Sequence, residues 1–111
     1  MDWKLLTAEN QLDEIKKRSL ETPQVIFKHS TRCATSSVAK SRLERAKTPE
    51  KVDFYFLDLI RHRPISNKIA EEFSVYHESP QILLIKNGEC VYDESHSGIS
   101  MADIEDQLMT T

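Results

Sequence analysis

The chain is 111 residues long and carries 15 Lys and Arg against 18 Asp and Glu, a net charge of −3. That length makes one domain over residues 1–111, and that charge leaves no basic footprint for nucleic acid or an anionic membrane. No apolar stretch approaches a membrane span, Met1-Asp2-Trp3-Lys4-Leu5-Leu6-Thr7 lacks the basic and apolar runs of a signal peptide, and two cysteines fit a reducing, cytoplasmic setting better than a disulfide framework.

Residues 3–6 predict a short strand. Thr7 then reads as the N-cap of a helix whose inner stripe is Ala8, Leu12, Ile15 and Ser19, with Asp13, Glu14, Lys16, Lys17 and Arg18 on a solvated face. Residues 24–28 are β-branched and aromatic, a buried strand. A helix follows to about residue 47, with Val38, Ala39, Leu43 and Ala46 inward, and Thr48-Pro49 ends it. Residues 52–60 read as a second central strand burying Phe54, Phe56 and Leu57. Arg63-Pro64 opens a helix through Phe73, with Ile65, Ile69, Ala70 and Phe73 on its inner stripe. Residues 82–86 and 89–93 flank Asn87-Gly88, a type I′ hairpin signal, and a last helix over 101–109 carries Ile104 and Leu108. Parallel strands joined by helices and closed by a hairpin predict an α/β fold: a mixed central sheet with helices on both faces, the thioredoxin-like architecture.

Cys33 falls where strand gives way to helix, in Phe27-Lys28-His29-Ser30-Thr31-Arg32-Cys33-Ala34-Thr35-Ser36. Unpaired N–H groups at the first helical turn, the positive end of the helix dipole and the neighbouring Arg32 all favour thiolate over thiol there. Three residues on, where a dithiol oxidoreductase carries a second cysteine, stands Ser36. Two readings of Ser36 are open: a hydrogen bond to the Cys33 sulfur, or an ordinary first-turn residue.

Three segments carry a resemblance. They are Phe27 to Cys33 as quoted above, Asp58-Leu59-Ile60-Arg61-His62-Arg63-Pro64-Ile65-Ser66-Asn67, and His77-Glu78-Ser79-Pro80-Gln81-Ile82-Leu83-Leu84-Ile85-Lys86-Asn87-Gly88. On these the chain resembles the monothiol bacilliredoxin family over nearly its whole length. The resemblance implies that Cys33 is the redox-active thiol, with Pro80 the cis-proline opposite it. It also implies a substrate platform at Ser79 and Pro80, and we place Thr31 and Ala34 beside them as further contacts. Protein cysteines capped as mixed disulfides with bacillithiol would be the substrates. Bacillithiol would be the co-substrate, with no bound cofactor. The family continues after its cysteine with Pro-Ile-Ser, whereas here Ala34-Thr35-Ser36 follows, and the lost proline predicts an altered redox poise.

The remaining polar residues read less sharply. Cys90 is expected to be a small, half-buried strand residue far from Cys33. Lys28 and His29 either raise the local positive potential or, at least one of them, fill surface or sheet face. His62 and Arg63 either line a bacillithiol pocket, whose carboxylates need cations, or are solvated loop residues. The four histidines show no metal-ligand spacing, so no metal is expected. The expected protein is a monomer or weak dimer that demodifies S-bacillithiolated proteins. Its rivals are a redox-inert interaction module using the same groove and a thiol-capped redox sensor.

Overall fold

The computed structural model describes residues 1–109. Its elements are β1 (Trp3–Leu5), α1 (Gln11–Arg18), β2 (Gln24–His29), α2 (Ala34–Arg45), β3 (Asp53–Asp58), α3 (Arg63–Glu72), β4 (Gln81–Lys86), β5 (Glu89–Ser95), a 3-10 turn at His96–Gly98, and α4 (Met101–Met109). The sheet order is β1-β3-β2-β4-β5. β1, β3 and β2 are parallel, while β4 runs antiparallel to β2 and β5 antiparallel to β4. No helix among the described residues is long and apolar enough to cross a membrane.

The period-2 alternation of strand side chains divides the core between two faces. Ile26, Tyr55, Leu57, Leu83 and Ile85 point to one face, where Leu12 and Ile15 of α1 and Ile65 and Ile69 of α3 cover them. Val25, Phe27, Phe54, Ile82 and Leu84 point to the other, covered by Ala39 and Leu43 of α2 and by Met101 and Ile104 of α4. β2 is buried along its whole length, including Lys28 and His29. Asn87 (φ 53°) and Gly88 (φ 80°) turn β4 into β5 with the two positive φ values of a type I′ hairpin.

Several local expectations need correction. Thr7 does not cap α1, which starts four residues later behind Asn10. The Gln11 carboxamide organises that turn instead: its oxygen accepts the N–H groups of Thr7 (2.7 Å) and Ala8 (2.9 Å), and its nitrogen donates to the Leu5 carbonyl (3.0 Å). Ala8 is consequently exposed. In α2, Val38 points outward and the inner positions are Ser36, Ala39 and Leu43, a 3-4 spacing that puts a polar residue against the sheet. In β3, Tyr55 is buried and Phe56 only half-buried.

Candidate active site

The carboxyl ends of β2 and β3 and the start of β4 lie at one end of the sheet, because Lys28 sits opposite Leu57 on one side and opposite Gln81 on the other. In open α/β sheets that end is where ligands bind. Three loops meet there: residues 30–33 entering α2, residues 59–62 entering α3, and residues 74–80 entering β4. The three segments that sequence reading singled out are therefore gathered in space, though well separated along the chain.

Cys33 is the N-cap of α2, in extended conformation (φ −115°, ψ 118°), and its side chain makes no capping bond to the helix. It is free and half-buried, whereas Thr31, Arg32, Ala34 and Thr35 around it are exposed. Ser30 shapes the loop: its carbonyl accepts the Cys33 N–H (3.2 Å) and its hydroxyl the Arg32 N–H (3.3 Å). The Cys33 carbonyl accepts Ser37 N–H (3.2 Å), the first bond of the helix. Ser79–Pro80 is a cis peptide. Pro80 is buried, its carbonyl accepts His96 N–H (2.9 Å), and the Ser79 hydroxyl is buried with no hydrogen-bond partner among the described residues.

Ser36 does not bond the Cys33 sulfur. Its hydroxyl is turned inward, 2.7 Å from His29 Nδ1, and accepts the Ser30 N–H at 3.0 Å. The helical phase explains this: Ser36 shares the buried face of α2 with Ala39 and Leu43, directly over the end of β2.

Lys28 and His29 are neither surface nor plain sheet-face filler. Being consecutive in a strand, they point to opposite faces. His29 lies on the α2 face between the rings of Phe56 (5.3 Å) and Phe27 (5.8 Å). Burial, reinforced by the Lys40 charge, lowers its pKa below the ordinary value. Lys28 lies on the α3 face with no accessible surface. Its ammonium donates to the Ser66 carbonyl (3.3 Å) and to His77 Nδ1 (3.4 Å), and burial brings its pKa down to about 8. The single sequence sees only a cation closing a strand; the missing signal was that β2 is covered on both faces to its last residue.

Arg61 and His62 stand on the loop entering α3 and Arg63 is the first residue of that helix, with both arginines exposed. Two apolar side chains border the same end, Ile60 and Tyr76, the latter 93% exposed. Sequence reasoning did not single them out, since their exposure depends on the loops' path. Cys90 is at the other end of the sheet, opposite Ile85, which lies four residues along β4 from Gln81, or about 13 Å. It packs against the α1/α3 core, and burial pushes its thiol up to about 11.

Comparison with known proteins agrees with this geometry. The family model described as monothiol bacilliredoxin BrxC matches residues 4–104. Among solved structures, one described by its thioredoxin fold aligns with a TM-score of 0.81 at 26% identity, over 92% of this chain and 89% of that one. The thioredoxin of Malassezia sympodialis aligns with a TM-score of 0.75 at 18% identity, over 99% and 92%. That of Fasciola hepatica gives 0.72 at 18% identity, over 95% of each chain. The last two establish the fold.

Proposed function

The chain belongs to the monothiol bacilliredoxin family, and from that premise we propose that it is a cytoplasmic thiol-disulfide oxidoreductase that removes bacillithiol from S-bacillithiolated proteins, acting as a monomer or weak dimer. The observation that carries this reading is the placement of a free Cys33 at the N-cap of α2, on the end of the sheet that also holds Ser79–Pro80, while Cys90 sits at the opposite end. One thiol must then carry the whole cycle.

Cys33, as thiolate, attacks the bacillithiol sulfur of the mixed disulfide in line. The bond between bacillithiol and the target cysteine breaks, the target thiolate leaves and takes a proton, and Cys33 is left joined to bacillithiol. A second bacillithiol thiolate attacks that same bacillithiol sulfur, forming bacillithiol disulfide and restoring Cys33. Serine at 36 cannot resolve the intermediate, and its hydroxyl is already engaged below the loop. Arg32 and Arg61 on the loops and Arg63 at the start of α3, all exposed at this end of a chain with net charge −3, support an anionic co-substrate such as the carboxylate-bearing bacillithiol. Thr31, Ala34, Ser79 and Pro80 border the approach to the sulfur, and Ile60 and Tyr76 offer apolar surface to a protein target.

The test incubates a bacillithiolated protein with excess bacillithiol and follows release of the target thiol. Wild type and Cys90→Ser are expected to release it, and Cys33→Ser to leave it capped. Equal release by wild type and Cys33→Ser overturns the proposal. Release of one equivalent of target thiol that leaves bacillithiol on Cys33, with no regeneration of Cys33 by excess bacillithiol, would favour the sensor reading.

A further inference from the structure

His96 opens the 3-10 turn that follows β5, and it bonds to the residues on either side of Ser79. Its N–H donates to the Pro80 carbonyl (2.9 Å), and its Nε2 donates to the Glu78 carboxylate (2.9 Å). A carboxylate only accepts, so Nε2 carries a hydrogen whether the ring is neutral or charged. The backbone bond continues the β4–β5 ladder one residue past its last pair, Gln81 with Ser95. At the same residue the chain leaves the strand at φ 56°, a region that a β-carbon disfavours. Strained positions of this kind gather at functional sites.

The turn is itself held from two sides. The Ser95 N–H donates to the Glu94 carboxylate (2.9 Å), and Gly98 packs so closely on that side chain that a Cβ there would lie 2.8 Å from Glu94 Cδ. Arg42 of α2 donates to the Ser97 carbonyl (3.5 Å), and Ile99, just past the turn, is buried in the core on the α2 face. The N-cap of α2 is Cys33. The turn therefore ties the helix that presents the thiol to the segment Glu78-Ser79-Pro80.

We propose that His96 is a positioning residue: by holding Glu78 and Pro80 it fixes the course of the backbone at Ser79, along which a target chain lies when its sulfur meets Cys33. His96 acts through those two partners. The inference rests on the reading of Cys33 as the reacting thiol and of Ser79 and Pro80 as the platform. The side chains of His96 and Glu78 are 55% and 47% exposed, and an exposed pair contributes little to folding. Its effect falls on how a bound chain is aligned.

The test follows Cys33 of the Cys90→Ser protein as it attacks two disulfides, a cysteine peptide capped with 2-thiopyridine and the small reagent 2,2′-dipyridyl disulfide. In both reactions the Cys33 thiolate forms the new sulfur–sulfur bond and pyridine-2-thione leaves, which absorbance records. Only the peptide has a chain to lay along Ser79, so the ratio of the two rates reports alignment. A general loss of folding or of thiol reactivity changes both rates alike. His96→Gly keeps the N–H and takes the positive φ without strain, so it removes the ring alone. That variant and Glu78→Ala are each expected to lower the peptide-to-reagent ratio by about threefold to tenfold, the contribution of one hydrogen bond. Glu78→Gln, which still accepts from Nε2, should keep the parent ratio. The double variant His96→Gly with Glu78→Ala should lose no more than either single one. An unchanged ratio in both single variants overturns the proposal, and so do losses that add in the double variant. Glu78→Ala truncates an exposed residue and decides alone if His96→Gly does not fold. No bacillithiol enters this experiment, so its outcome and that of the release assay are read separately.

Discussion

Lys28→Met isolates a buried charge whose effect on stability has a calculable pH signature. The ammonium has no accessible surface and no carboxylate partner among the described residues, and burial lowers its pKa from 10.5 to about 8. The folded chain therefore gives up this proton near pH 8, while the unfolded chain holds it to about 10.5. Between those values the unfolded state binds more protons, so stability rises with pH. With about 1.4 kcal/mol per tenfold, the penalty is about 3 kcal/mol at pH 7 and about 1 kcal/mol at pH 10. Methionine keeps the length of the stem but loses the bonds to Ser66 and His77, a pH-independent cost of about 1–2 kcal/mol. The variant is expected to be about 1–2 kcal/mol more stable than the parent at pH 7 and, relative to it, to lose about 2 kcal/mol by pH 10, which removes that advantage. Urea unfolding of both proteins at matched ionic strength from pH 7 to 10 measures it, with all other titrations common to the pair. Stability curves that stay parallel across this range would refute the reasoning.

Asp53 gives a slope of the same sign at acid pH, as a stabilising group rather than a penalty. Burial resists its ionisation, but hydrogen bonds from Gln24, Arg18 and Lys4 hold the carboxyl down at about 2, so its contribution is present above its ordinary value and lost as pH falls through 2. Asp53→Asn is expected to cost about 2 kcal/mol above pH 5, with the gap to wild type closing toward pH 2 in urea titrations. Cys90, with its thiol pushed up to about 11, should resist maleimide at pH 8 while Cys33 labels, and should label only on unfolding, as peptide mass mapping would show. Gly88→Ala, at φ 80° with open space around it, is expected to cost about 1 kcal/mol in thermal or urea unfolding through backbone strain alone.

What was legible in the chain, and what was not, follows the range of the interactions involved. The periodic elements and the Asn87-Gly88 hairpin were readable because turn chemistry and side-chain period act within a few residues. The start of α1 was not: the Gln11 carboxamide ties up the N–H groups of Thr7 and Ala8 from inside the helix, and the first turn forms beyond them. The family motifs named Cys33, Ser79 and Pro80, and the fold brings all three to one end of the sheet, since a motif carries its fold context with it. Neither open reading of Ser36, sulfur partner or ordinary first-turn residue, described its bond to His29, because helical phase, not spacing from Cys33, decides which way its hydroxyl turns. The burial of Lys28 and His29 was not readable, for a longer-range reason. A cation and an imidazole at a strand end are ordinary surface residues unless helices cover both faces there, and only the assembled α2 and α3 do that.

Those two residues place basic groups on both sides of the strand that leads into the Cys33 loop. Lys28 lies under the α3 face and His29 under the α2 face, each fully or almost fully buried. A lysine that titrates near 8 is about nine-tenths charged at pH 7, and with no carboxylate paired to it among the described residues its field is not cancelled locally. Apolar packing would be the cheaper solution at that position, by the same few kcal/mol that Lys28→Met is expected to recover. Stability given up at one end of a sheet is commonly tied to a site. Here the end in question is where a thiolate would form and where an anionic thiol would arrive, and a buried cation favours both. The stabilising substitution should therefore also slow release of a bacillithiolated target at pH 7, and much less so at pH 9, where the parent lysine is itself mostly neutral. A Lys28→Met protein that gained stability and kept full activity at pH 7 would mean that the charge serves packing geometry alone.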